Sequence, residues 1–295
     1  MSMRKQFVTT IESLLASDEK MVLLLGDIGV HGFKNAFSSF PDRVYNIGIL
    51  EQATVGAASG LAMSGFIPVV HTIAPFIIER ALEQIKLDFC YQKQGGNFIS
   101  VGASYDYAAL GSTHHCPADV GTLLNIPRME VVLPGAGDEF DKLFRQAYNN
   151  GNPTYFRLSE RLNNESYDVE FGKANVVKKG GRATVIAVGT ALKNVLEACA
   201  DLDVTILYYT TVAPFDAETL RKNCASGKIL LCEPYYSGAL AADIYAALNP
   251  KPVIIETSGV PRKFLEAYGK REEHDKVLGL TKEGITDKIN KLINI

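Results

Sequence analysis

The 295-residue sequence contains no tryptophan, which decides nothing, and only five cysteines: Cys90, Cys116, Cys199, Cys224 and Cys232. They are scattered, odd in number and without CxxC spacing. That argues against a disulfide framework and predicts reduced thiols in a cytoplasmic protein, used mainly as small apolar residues. Charge of neither sign dominates, with 30 Lys and Arg against 33 Asp and Glu and a net charge of −3. No basic excess therefore points to nucleic acid or to an anionic membrane as a partner. No apolar run reaches the roughly 18–20 residues that a membrane span needs. The opening "MSMRKQFVTTIESLLASDEK" is amphipathic and carries acids, so it predicts a first helix rather than a signal peptide. The familiar catalytic signatures are missing as well. There is no GxxxxGK[ST], no GxGxxG after a strand, no GxSxG and no HExxH.

What is present is alternation. Apolar, β-branched runs at 21–27, 43–49, 66–72, 97–103, 129–134 and 154–159 predict strands, with helices expected at 51–64, 76–93, 117–124 and 138–149. Residues 160–182 are polar and turn-rich and predict a domain boundary. The pattern then restarts, with strands expected at 183–190, 204–210, 228–234 and 252–258 and helices at 191–201, 216–224, 237–248 and 282–293. Asp216, after "TVAPF", reads as an N-cap. Continuous apolar strands separated by helices predict an α/β protein of two domains, each a mainly parallel sheet flanked by helices.

Three stretches invite chemistry. "GDIGVHG" (26–32) places glycines at a strand end, where backbone N–H groups can meet a phosphate, but as a lone signal a simple turn explains them better. "STHHCP" (112–117) suggests zinc, but adjacent side chains on an extended segment point apart and no second ligand pair stands at a useful spacing. A histidine presented to a substrate pocket suits the segment better. "VYNIGILEQATVGAASGLAMSG" (44–65) puts one acid, Glu51, where a strand gives way to a helix. The helix dipole alone would favour an acid there, yet its neighbours are small or apolar, and a carboxylate held among them needs a partner.

The stretch "FPDRVYNIGILEQATVGAASGLAMSGFIPVVHTIAPFIIERALEQI" (40–85) resembles the pyrimidine-binding domain of transketolases and their thiamine-diphosphate relatives. There a strand, G-[IV]-x-E-[QH] and a small-residue helix carry the cofactor's glutamate. "GSTHHCPADVGTLLNIPRMEVVLPGAGDEF" (111–140) is similar to the family's G-x-T-H segment and its continuation, and "GNPTYFRLSE" (151–160) and, more loosely, "GVPRKFLEAYG" (259–269) extend the likeness. The resemblance implies a pyrimidine-binding domain over 1–165 and a transketolase C-terminal-like domain over 178–295. The GDG…N magnesium motif of the diphosphate domain is absent. The resemblance therefore implies the C-terminal subunit of a split transketolase. Its N-terminal partner subunit would supply most of the Mg²⁺ and diphosphate ligands in an α2β2 heterotetramer, with small sugars as substrates.

The resemblance also implies roles. Glu51 would hold the ring nitrogen of thiamine diphosphate, driving the aminopyrimidine into the imino form that deprotonates the thiazolium carbon. Phe76 would wall the pyrimidine, with Ile77 as the rival register and a plain core phenylalanine as the bland alternative. Asp27 would lie near the thiazolium ring, unless it is only an N-cap. His114 would face the sugar donor, with His115 replacing the usual glutamine, and His71 either lines the same cleft or is structural. Two departures bear on the substrate. Leu110 stands where transketolases carry an aspartate that reads a donor hydroxyl. Glu160 stands where they carry an arginine for the acceptor phosphate, so either Arg161 substitutes or the acceptor is unusual. The β subunit of a 2-oxo acid dehydrogenase and a non-catalytic paralogue are the rival readings. A synthase of the deoxyxylulose-phosphate type is close too, but that family is a single long chain.

Overall fold

The computed structural model describes every residue except Ala225. In chain order the strands are β1 (Met21–Leu25), β2 (Val44–Asn46), β3 (Ile67–Ile73), β4 (Gly96–Val101), β5 (Glu130–Val132), β6 (Pro153–Arg157), β7 (Ala174–Lys178), β8 (Ala183–Val188), β9 (Val204–Tyr209), β10 (Thr211–Ala213), β11 (Lys228–Tyr236) and β12 (Ile254–Val260). They form a seven-stranded sheet ordered β10-β5-β6-β4-β3-β1-β2 and a five-stranded sheet ordered β12-β11-β8-β9-β7. All pairings are parallel except β10 with β5 and β7 with β9. Strands β1, β3, β4, β6, β8 and β9 are buried along their whole length, as expected of parallel strands covered on both faces.

The first helix, Met3–Ser17, begins at Ser2, whose side chain accepts from the Lys5 N–H, and buries Phe7, Ile11 and Leu14. Asp216 caps the helix Ala217–Asn223 by accepting from the Thr219 N–H. All five cysteines are free and buried. Burial pushes the Cys90 and Cys199 thiols up to about 11, so they stay protonated.

Several elements differ from the sequence expectation. The single helix expected over 76–93 is three pieces, Ala74–Ile78, Leu82–Gln84 and a π-helical turn Ile85–Tyr91. Pro75 starts the first piece, and the chain turns at Glu79 and Arg80 before restarting. The polar stretch 160–182 contains β7, a half-buried edge strand, and β10 comes directly after β9 yet pairs with the first sheet. The second half is thus laced to the first, and both large hydrophobic clusters draw residues from both sheets.

Candidate active site

Parallel sheets put their loops to use at the strand carboxyl ends. Here Asp27 follows β1, Glu51 follows β2, Phe76 follows β3, His114 lies in the connection after β4, and Arg161 follows β6. The register is level at that edge: Leu25 pairs with Asn46 on one side and with His71 on the other.

Glu51 opens the helix Glu51–Met63, whose buried positions are Glu51, Thr54, Val55, Ala58 and Ser59. That spacing is one helical face, so the stripe that seats Val55 and Ala58 in the core carries the Glu51 carboxylate inward. The residue is 4% exposed. Arg80 Nη1 donates to its Oε2 at 3.2 Å, while Oε1 is buried without a hydrogen-bond partner. A buried carboxylate oxygen left open is costly unless something binds it.

The Arg80 guanidinium lies over the Phe76 ring, 3.9 Å from its centroid. The Phe76 ring meets the His114 imidazole edge to face at 5.4 Å. Ile77, its rival, is fully buried in the core, so Phe76 is the one that faces the group. His114 is half-buried and its Nδ1 bonds the Thr113 hydroxyl at 2.9 Å, leaving Nε2 free to point elsewhere. The loop that holds it turns at Gly111, whose φ is +70° and where a Cβ would stand 2.6 Å from the Tyr268 ring. Leu110, just before, is 51% exposed.

Asp27 adopts φ 66°, a left-handed conformation uncommon for a side-chain-bearing residue. Its N–H donates to Asn46 Oδ1 at 2.9 Å, the same oxygen that accepts from the Gly48 N–H at 3.1 Å. Asn46 therefore ties the end of β1 to the turn that leads into Glu51. Asp27 is an exposed turn residue and caps no helix. It lines a cleft of about 810 Å³ together with Arg4, Lys5, Gly29, His31 and His71.

His71 is fully buried in β3. One ring nitrogen, Nδ1, bonds the Ile99 carbonyl at 2.9 Å and the other is without a partner. Burial pulls its pKa down to about 4, so the ring is neutral. Gly29, at φ +92°, passes so close that a Cβ there would stand 2.9 Å from the imidazole.

Arg161 is not part of the Glu51 group. Its Nη2 donates to Asp275 Oδ1 at 2.6 Å and its guanidinium lies over Tyr105, so it fastens the C-terminal half in place. Arg157 is likewise spent on buried Asp119. Glu160 is raised above the ordinary carboxylate range by burial and the Asp106 charge, against the nearby Arg271 and Arg4. Sequence reasoning missed Arg80, Asn46, and the polar cleft residues Arg4, Lys5 and His31. For Arg80 a signal existed: it stands four residues after Phe76, the spacing of helical neighbours. Among the described residues no cluster of three or more His, Cys, Asp or Glu could hold a metal ion, and no helix is long and apolar enough to cross a membrane.

Residues 1–165 match the family described as "Transketolase, pyrimidine binding domain" and residues 172–285 match "Transketolase, C-terminal domain". A protein of Rhodococcoides fascians named as an uncharacterized 33.6 kDa protein in the fasciation locus is 38% identical over 97% of this chain and 93% of its own length. A subunit of the apulose-4-phosphate transketolase of Phocaeicola vulgatus is 30% identical over 96% of this chain and 94% of its own. A solved chain described as "Split gene transketolase, inactive beta4 tetramer" superposes with a TM-score of 0.88 at 25% identity, covering 100% of this chain and 98% of that one.

Proposed function

The chain belongs to the transketolase family, and from that premise we propose that it is the pyrimidine-holding subunit of a split, thiamine-diphosphate-dependent transketolase. In this reading it transfers a two-carbon ketol unit between sugars. An N-terminal partner subunit binds the diphosphate and Mg²⁺, and the two assemble as an α2β2 heterotetramer. The observation that carries the proposal is the open, buried Oε1 of Glu51 beside the half-buried Phe76 ring. A nitrogen heterocycle fits that pair, since it would satisfy the orphaned oxygen and stack on the ring.

When bound, the cofactor supplies a carbon nucleophile whose formation depends on a hydrogen bond to its pyrimidine nitrogen. The chain's own residues do the rest. Glu51 holds that nitrogen from a helix start fixed by the buried helical face, and in dry surroundings its hydrogen bond is strengthened. Phe76 forms the wall. His114, steadied by Thr113, presents its second ring nitrogen to a donor hydroxyl. Leu110 presents no polar group to the donor, which supports an unusual sugar. Arg4, Lys5 and His31 line the cleft beside Asp27 and suit a sugar carrying an anionic group. The Phocaeicola relative, named for apulose 4-phosphate, supports that class of substrate.

The test is reconstitution with an N-terminal transketolase subunit that carries GDG…N. Transfer of a two-carbon unit from a ketose panel is expected, and release of CO₂ from a 2-oxo acid instead would overturn the reading in favour of a dehydrogenase subunit. The isolated chain is expected to show no Mg²⁺-dependent binding of thiamine diphosphate in calorimetry. Tight binding without a partner would contradict the shared site.

A further inference from the structure

We propose that Arg80 is a displaceable stand-in for the cofactor's pyrimidine ring: without cofactor it occupies both the Glu51 carboxylate and the Phe76 face, and it withdraws when cofactor enters. The inference rests on the proposed function above and adds a role for a residue outside it.

The geometry of Arg80 is that of a planar nitrogen group seated where a ring would sit. Its guanidinium stacks 3.9 Å from the Phe76 centroid and its edge donates to Glu51 Oε2 at 3.2 Å. Phe76 packs on the core, so the side that Arg80 covers is the side a second ring would need. A pyrimidine and a guanidinium cannot share that face at such a distance.

The contacts are also of the kind that can be given up. The bond to Glu51 is single and long for an ion pair, where about 2.7–2.9 Å is usual. The Arg80 side chain is 44% exposed, whereas that of Glu51 is 5% exposed. Arg80 stands in the turn between the helices Ala74–Ile78 and Leu82–Gln84, so no helical hydrogen-bond ladder passes through it and its side chain has a path to solvent. The arrangement serves the cofactor-free subunit. A buried carboxylate without any partner is costly, and Arg80 lessens that cost through Oε2, leaving Oε1 open until the ring arrives. Cofactor affinity is then reduced by the population in which the seat is taken.

The experiment measures thiamine diphosphate affinity by calorimetry in the complex assembled with the N-terminal subunit, at fixed Mg²⁺. Arg80→Met removes the competitor and is expected to tighten Kd about threefold to tenfold, the sum of a modest ion pair and a cation–π contact. In a Glu51→Gln background the same change should move Kd less than in wild type, by about twofold to fivefold, because the ion pair is already weakened and only the contact with Phe76 remains to be lost. Arg80→Gln, shorter and neutral, is the second variant should the Met side chain disturb folding, and it should act in the same direction. Unfolding midpoints of the free chains check that both are folded. Weaker binding in folded Arg80 variants, or an unchanged Kd, would overturn the inference, since Arg80 would then hold the cofactor or be indifferent to it. Failure of the wild-type complex to bind thiamine diphosphate at all would instead overturn the proposed function on which the inference rests.

Discussion

Glu51→Gln separates chemistry from architecture. Glutamine keeps the shape and volume of the side chain and can still accept from Arg80, so the buried helical face is undisturbed. The one interaction weakened is the ion pair with Arg80, whose side chain is 44% exposed. A pair open to solvent on one side contributes about 0–1 kcal/mol, so the unfolding free energy of the isolated chain should fall by no more than about 1 kcal/mol. Turnover should collapse, because an amide cannot share a proton with the ring nitrogen. The loss of a positioned acid–base group is worth about 10²–10⁴-fold in rate. The assay pairs denaturant unfolding of the free chain with ketol transfer by the reconstituted complex, whose assembly is followed by light scattering. Turnover within a few-fold of wild type would refute the assignment. So would a stability loss of about 3 kcal/mol or more, the cost of breaking a structural buried pair, because Glu51 would then be a fold-holding residue.

Phe76→Ala should raise the cofactor Kd while costing the free chain less than a core truncation does, since the ring is half-buried, whereas Ile77→Ala, at a fully buried position, should cost about 2–5 kcal/mol in stability without a selective cofactor effect. Calorimetry and denaturant titration on both variants check the pair; the opposite pattern would exchange the two residues. Leu110 is exposed at the end of the short 3₁₀ helix Ala108–Leu110, so for Leu110→Asp stability should change by less than about 0.5 kcal/mol while donor preference shifts toward common ketose phosphates. A competition assay over a donor panel reads this, and an unchanged profile counts against the role given to that position. His71 is neutral and buried, with its pKa depressed to about 4. Below its ordinary value near 6.5 the unfolded chain takes up a proton that the folded chain refuses, so stability is full above about pH 6.5 and falls toward pH 4, by about 3 kcal/mol. His71→Asn should flatten that part of the stability–pH curve; an equal slope would place the acid sensitivity elsewhere.

Much of this molecule is written in local pattern. The run "MVLLLG" reads as a covered parallel strand and is one, because every side chain of β1 finds apolar cover. The helix at Glu51 is legible from the spacing of Glu51, Val55 and Ala58. The features that escape such reading depend on partners far away in the chain. β10 is three residues long and exists because it pairs with β5, about eighty residues earlier. β7 is a half-buried edge strand whose polar residues read as a turn region. Arg161 reads as available for a substrate anion, but the fold brings Asp275 to it from 114 residues away. Arg80 reads as part of a continuous helix, yet the chain breaks there and frees its side chain to reach back to Glu51.

The open oxygen of Glu51 is assigned to the pyrimidine of a cofactor anchored by another subunit. A structure of the assembled complex soaked with thiamine diphosphate and Mg²⁺ tests that assignment directly. The predicted result is a pyrimidine nitrogen within hydrogen-bond distance of Glu51, about 2.6–3.2 Å, with Phe76 against the ring and the diphosphate held by the partner. Clear density for the cofactor with Glu51 still facing only protein atoms would contradict the account.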